Sequence, residues 1–200
     1  MNRDFKIIIA FTSTVLLLIF VYFGAFLPLK KSQLYIDAVR GSSQIRSVQE
    51  FNKLFGKVLD FYSPVGHGEV VYAYLNIIIG AVQNQQNREI VDILLKEADK
   101  RMEPIIKEDK GNAFFQSLYS YALLYELAGN KFQDNNYYQK SADIYEIALK
   151  HSPNRPMLLY GLFRSYNALG DTEKSKEIGE VILKQQPNNK EMKKIINQPI

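Results

Sequence analysis

Two hydrophobic patterns divide the chain. From Ile7 to Leu29 no residue is charged over 23 positions, IIIAFTSTVLLLIFVYFGAFLPL, and apolar residues occupy every side of a helix drawn through them. Beyond that run, apolar residues recur every three or four positions, the spacing of one covered helical face. Ile45, Val48, Phe51, Leu54, Phe55, Val58, Leu59 and Tyr62 predict a helix over 45–62, broken by Ser63-Pro64 and Gly66-His67-Gly68. A helix over 69–83 is apolar on most sides and is expected to be central. Ile90, Val91, Leu94, Leu95, Ala98 and Met102 predict the next, with Pro104 ending or kinking it. Further helices are predicted at 112–128, 136–150, 156–168 and 173–185, punctuated by Gly129, Pro153, Gly170 and Pro187. Ser32–Arg40 either continues the first helix or forms a short one, stopped by Gly41-Ser42-Ser43. No alternating pattern calls for a strand.

The uncharged run, as a helix, is ~34 Å long at ~1.5 Å per residue, enough for a ~30 Å hydrocarbon core. Thr12, Ser13 and Thr14 can bond back to the helix's own carbonyls. A cleaved signal peptide has a shorter apolar core ending in small residues, whereas here Gly24-Ala25 leads into Phe26-Leu27. The pattern therefore predicts a retained single-pass anchor, with residues 7–29 in the bilayer. Arg3 and Lys6 before the run, against Lys30, Lys31, Arg40 and Arg46 after it, would hold the C-terminal part in the cytoplasm. Long domains, however, translocate regardless of flanking charge.

Composition narrows the function. The 200 residues include no Cys, which excludes disulfides, thiolate metal sites and a cysteine nucleophile. The net charge of +4 is concentrated at the N-terminus: residues 1–31 carry +3, which leaves +1 for residues 32–200. No basic stripe remains for phosphate binding, so nucleic acid is not an expected partner. Phosphate-loop, dinucleotide, zinc-protease and nucleophile-elbow motifs are all absent. His67 lies in a glycine turn, and His151 suits the C-terminal end of a helix. Glu97, Asp99, Glu103, Glu108 and Asp109 alternate with Lys96, Lys100, Arg101, Lys107 and Lys110, as solvated helix faces do. No catalytic, cofactor or metal site is predicted, and the chain is read as a non-enzyme. Tyr137-Tyr138, in a polar stretch, either stand exposed, where they could stack on a sugar or anchor a peptide, or pack beneath that stretch.

Pro153 and Pro187 stand 34 residues apart in similar phrases, HSPNRP and QQPNNK. Between them lie Leu159, Leu162, Tyr166 and Leu169-Gly170, then Ile182-Leu183. The preceding unit has Leu118, Tyr121-Ala122, Tyr125 and Ala128-Gly129, then Tyr145 and Ala148, with about seven extra residues around Lys131–Asn136. This pattern resembles tetratricopeptide repeats, whose helix pairs complete each other's cores by stacking. Phe163, Ser175, Gly179 and Ile182 depart from the usual residues. The resemblance implies an all-α protein: one transmembrane helix followed by a tetratricopeptide-like solenoid of antiparallel helix pairs. The expected divisions are 1–31 tail and anchor, 32–110 diverged repeats, 111–190 two clearer repeats, and 191–200 a tail.

A second, phrase-level similarity covers about residues 20–190. The span, the amphipathic helix and Ser63, Pro64, Gly66 and Glu69 resemble the C-terminal tail of O-antigen ligase/polymerase-like membrane proteins. It implies an accessory or detached tail domain of surface-polysaccharide assembly machinery, and it favours an extracytoplasmic domain. The repeat resemblance implies a scaffold for membrane-associated protein partners. Its concave face would present Tyr119, Leu123 and Glu126 from one unit and Tyr160, Arg164 and Asn167 from the next. A glycan partner would instead use aromatics among amides around Gln133–Gln139.

Overall fold

The computed structural model describes residues 3–42, 47–108 and 113–196, and all regular structure among them is helical. The chain forms two compact units, Met1–Val70 and Val71–Ile200. The expected helix start at Ile45, the charges at Arg46, Asp109 and Lys110, the boundary at 110/111 and the last four residues of the expected tail lie outside the described residues.

In the first unit, α1 (Arg3–Val21), a π-helical turn (Tyr22–Phe26) and α2 (Leu27–Ser42) run on as one 40-residue helix, long and apolar enough to cross a membrane. No residue of α1 or the π turn is buried. Thr14 Oγ1 donates to the Ala10 carbonyl (2.9 Å), so this polar side chain is satisfied within the helix. Tyr22 and Phe26, one turn apart, stack at 5.6 Å. Burial begins at Leu27 and continues at Lys31 and Ala38. α3 (Val48–Leu59) opens with a Ser-x-x-Glu cap, in which Ser47 Oγ accepts from the Glu50 amide (3.1 Å). Its Phe51, Phe55, Val58 and Leu59 are buried, and the helix packs on α2. The helix stops at Leu59, short of the expected residue 62, and Tyr62 is 67% exposed rather than part of the buried face.

α4 (His67–Asn84) crosses the boundary between the units, and Gly66 before it takes φ +83. His67 therefore begins a helix instead of lying in a turn. In the second unit α5 (Arg88–Glu108), α6 (Phe114–Phe132), α7 (Asn135–His151), α8 (Pro156–Leu169), α9 (Thr172–Gln185) and α10 (Lys190–Ile196) pack each against the next, and α6 also touches α8. Pro104 does not end α5, which runs four residues further with the proline exposed. Pro156 stands at the first helical turn of α8, where its missing N–H is not needed. Gly170, at φ +74, closes α8, and Asp171 caps α9 by accepting from Lys174 N (3.1 Å).

The interval around Lys131–Asn136 is not an inserted loop. α6 runs through Gly129 to Phe132, and only Gln133, in the left-handed conformation (φ 51), and the cap Asp134 separate it from α7. The extra residues lengthen the helices. Of the two alternatives for Tyr137 and Tyr138, the structure shows packing: both rings are buried. A methyl group on Gly129 would come within 2.7 Å of Tyr138 Cδ1, so this glycine admits a ring instead of ending the helix as expected. Gly161 does the same for Tyr145. Small residues thus bring helices close enough for whole rings to lie between them. Residues 190–196, mostly within the expected tail, are helical, with Met192 buried against Leu159, Phe163 and Ile182.

Candidate functional site

α4, α6 and α8 contribute side chains to one groove of ≈ 130 Å³. Tyr72 and Asn76, one turn apart, come from α4; Phe115, Tyr119 and Leu123 come from α6; Met157 comes from α8. Asn76 is fixed from both sides: its Nδ2 donates to the Tyr72 carbonyl (2.8 Å), and its Oδ1 accepts from Ser120 Oγ at 3.5 Å. Gln116 lies on the same wall, exposed, and its amide makes no hydrogen bond among the described residues. At the rim, the Arg155 guanidinium lies 4.5 Å over the Phe115 ring, with Nε donating to Ser152 Oγ (3.1 Å). A cation at the start of a helix is not favoured by the helix dipole. Here the ring face and the hydroxyl hold it, with guanidinium donors left over for an anionic group.

The six residues expected to face a partner separate in the structure. Tyr119 and Leu123 line the groove. Glu126 does not face outward: its side chain is 7% exposed and is bound in two-pronged fashion by Arg164, Nε to Oε1 at 2.6 Å and Nη2 to Oε2 at 3.0 Å. Tyr145 OH donates to the same carboxylate at 3.2 Å. Two residues expected on the concave face therefore neutralise each other within the fold. Tyr160 OH donates to Gln186 Oε1 (2.8 Å) and accepts from Asn189 Nδ2 (2.7 Å), which ties α8 to the turn before α10. Asn167 is exposed near the end of α8 and does not join the groove.

Sequence reasoning missed Tyr72, Asn76, Phe115, Arg155 and Met157. Tyr72 and Asn76 carried a usable signal, two polar groups four apart within the largely apolar middle of their helix. Arg155 carried none, because its relation to Phe115 depends on how α6 and α8 meet.

Carboxylate–tyrosine bonds knit neighbouring helices together. Asp99 of α5 accepts from Tyr121 and Tyr125 of α6, the latter at 2.7 Å; Asp92 accepts from Tyr137, and Glu146 accepts from Tyr166. Burial first, then these carboxylates, push the Tyr121 and Tyr125 hydroxyls well above the ordinary tyrosine value of 10.0, so they act as donors and not as acids. Burial likewise pushes Tyr145 up, with the Glu126 charge adding to it. The Lys131 ammonium donates to the carbonyls of Val82, Gln83 and Gln85 (2.6–2.9 Å), closing the C-terminal end of α4.

A second hollow of ≈ 430 Å³ lies among α7, α8 and α9. Its Tyr166 hydroxyl is bound to Glu146, and Lys174 Nζ lies 4.9 Å over the Tyr166 ring, so these groups satisfy each other. Among the described residues no three His, Asp or Glu side chains gather as metal ligands would. Comparisons with known protein families, curated proteins and solved structures give no match for this chain.

Proposed function

We propose that this protein is a membrane-anchored scaffold with tetratricopeptide-like helix pairs, which holds a segment of a partner protein in the groove of α4, α6 and α8 and performs no covalent chemistry. One observation carries the reading: alternate helices of the succession α4 to α8 supply a common groove, as the first helices of stacked pairs would. The contact of α6 with α8, across the intervening α7, supports the same reading. The residues at 7–29 would serve as the anchor, which raises the effective concentration toward partners in the same membrane.

The lining states what the partner segment should look like. Tyr119, Leu123 and Met157 offer an apolar hollow for one or two aliphatic or aromatic side chains. Gln116 offers an amide to an extended backbone, and Arg155 a cation to a carboxylate at one end. Protein is preferred to glycan because the aromatics of the 133–139 stretch, Tyr137 and Tyr138, are buried.

A photo-crosslinking residue at Gln116 in native membranes, read by mass spectrometry, tests this. A discrete partner band is expected, weakened at least about tenfold by Arg155→Ala with Met157→Ala, the loss of ~1.4 kcal/mol or more that a hot-spot pair carries. Equal labelling from Gln116 and from Lys140, an exposed position on α7 outside the groove, would overturn it.

A further inference from the structure

The turn between α3 and α4 bears side chains that its own fold does not need. Tyr62 is 67% exposed, Val65 60%, and Pro64 between them is also exposed. The turn is nevertheless well held. Ser63, itself buried, donates from Oγ to the Val65 carbonyl (2.8 Å), and Gly66 turns the chain at φ +83. Tyr62 and Val65 are thus presented outward by a fixed backbone.

What covers them follows from where the turn is tied. Lys31 Nζ donates to the Phe61 carbonyl (3.0 Å) and lies 3.3 Å from His67 Nδ1. Lys31 is 3% exposed although it is a lysine, so its charge is spent on this attachment rather than on water. It stands two residues after Leu29, the last of the uncharged run, which is ~3 Å along the helix axis. A lysine side chain reaches only ~6 Å from its Cα, so the Phe61 carbonyl lies within roughly 9 Å of the Lys31 Cα, close to the end of the run. Leu27, still inside the run, is 6% exposed, so the covered stripe of α2 extends below that level. Tyrosine with an apolar body and a polar tip, beside valine and proline, is the composition suited to the headgroup–acyl boundary.

We infer that the 61–66 turn is a second membrane contact, a fixed apolar tip that rests in the headgroup–acyl boundary of the bilayer beside the point where α2 emerges. The inference rests on the reading of residues 7–29 as a membrane anchor. The contact would limit the tilt of the long helix by giving the first unit a second point of support.

Because the chain has no Trp, a single introduced indole reports its own position directly. The full chain is reconstituted in phosphatidylcholine–phosphatidylglycerol vesicles carrying lipids spin-labelled either near the headgroup or deep in the acyl chain. Four variants are compared: Phe20→Trp, Val39→Trp, Tyr62→Trp and Val65→Trp, all at exposed positions. Val39 lies ten residues past Leu29, ~15 Å further along the axis, and serves as the aqueous reference. Emission from the Tyr62→Trp and Val65→Trp chains should be blue-shifted, as for interfacial aromatics. The shallow label should quench both at least about twofold more than it quenches Val39→Trp. The deep label should quench Phe20→Trp best. If Phe20→Trp is quenched while Tyr62→Trp and Val65→Trp behave like Val39→Trp, the turn does not touch lipid and this inference is overturned. If Phe20→Trp itself escapes the deep label, the anchor reading falls, whatever the turn does. Unchanged circular dichroism across the set shows that each variant retains the fold.

Discussion

α1 and α6 are each 19 residues long, yet nothing in α1 is buried and eleven residues of α6 are. The helix that buries nothing is the more apolar of the two. α6 mixes Ser117, Ser120 and Glu126 with its leucines and tyrosines and is covered on most sides by α5, α7 and α8. Among the described residues no other helix packs along α1. Apolar content alone therefore does not say where a helix will be buried. What separates the two is whether polar groups sit where a neighbour can answer them. Ser141 Oγ donates to the Ala122 carbonyl of α6 (2.9 Å), and Arg164 reaches Glu126, whereas Thr14 has only its own helix to bond with. A helix designed for protein neighbours carries such groups, and one suited to lipid satisfies them internally.

The sharpest way to break the comparison is the same substitution in both helices. Leu124→Arg places a charge at a fully buried site of α6 and should cost more than about 5 kcal/mol, enough to abolish the cooperative thermal transition of the detergent-solubilised chain. Leu17→Arg, at an exposed site of α1, should leave that transition unchanged and cost insertion alone, ~3 kcal/mol, seen as partial release into the carbonate-soluble fraction. Equal thermal effects would mean that α1 has a protein neighbour after all.

A smaller effect is expected where a ring replaces a missing side chain. Gly161→Leu drives a side chain into the fully buried Tyr145 ring and should cost ~3 kcal/mol, a fall in melting temperature of roughly 6–12 °C. Gly24→Leu, with open space around it, should move the transition by less than about 1 °C.

The mildest test is alkaline. Tyr121, Tyr125 and Tyr145 titrate higher in the fold than in the unfolded chain, so their contribution to stability is complete below pH 10.0 and declines above it as the unfolded state loses protons first. The urea midpoint should hold between about pH 8 and about pH 9.5 and fall by about pH 10.5 with an unchanged slope. A midpoint that rises there would refute the donor role of these hydroxyls.

Much of the helical succession was legible in the sequence, because Pro153, Gly170 and Pro187 act through local backbone chemistry and the three/four spacing depends on a single helix. α8 and α9 match their predicted bounds within a residue. Local pattern does not decide Tyr62 or Tyr137, for opposite reasons. Tyr62 fits the spacing of a helix that ends three residues earlier, and Tyr137 lies among polar residues yet is covered by its neighbours. Two of the six expected face residues, Glu126 and Arg164, bind each other instead, and no local pattern announces the pairing because 38 residues separate them. Proline at 104 predicts an end or a kink because its cost is local, whereas the burial of Met102 and Ile105 on either side, which is tertiary, carries α5 through it.

The π turn at Tyr22–Phe26 gives the long helix an angular phase. One additional residue in that turn rotates everything before it by ~100° relative to α2. No residue of α1 is buried, so no packed neighbour among the described residues fixes its azimuth. The stripe of Leu27, Lys31 and Ala38 has a fixed azimuth. Insertions and deletions should therefore pass unnoticed upstream of Tyr22, while a single residue gained or lost between Leu27 and Ala38 would point Lys31 away from the turn it holds.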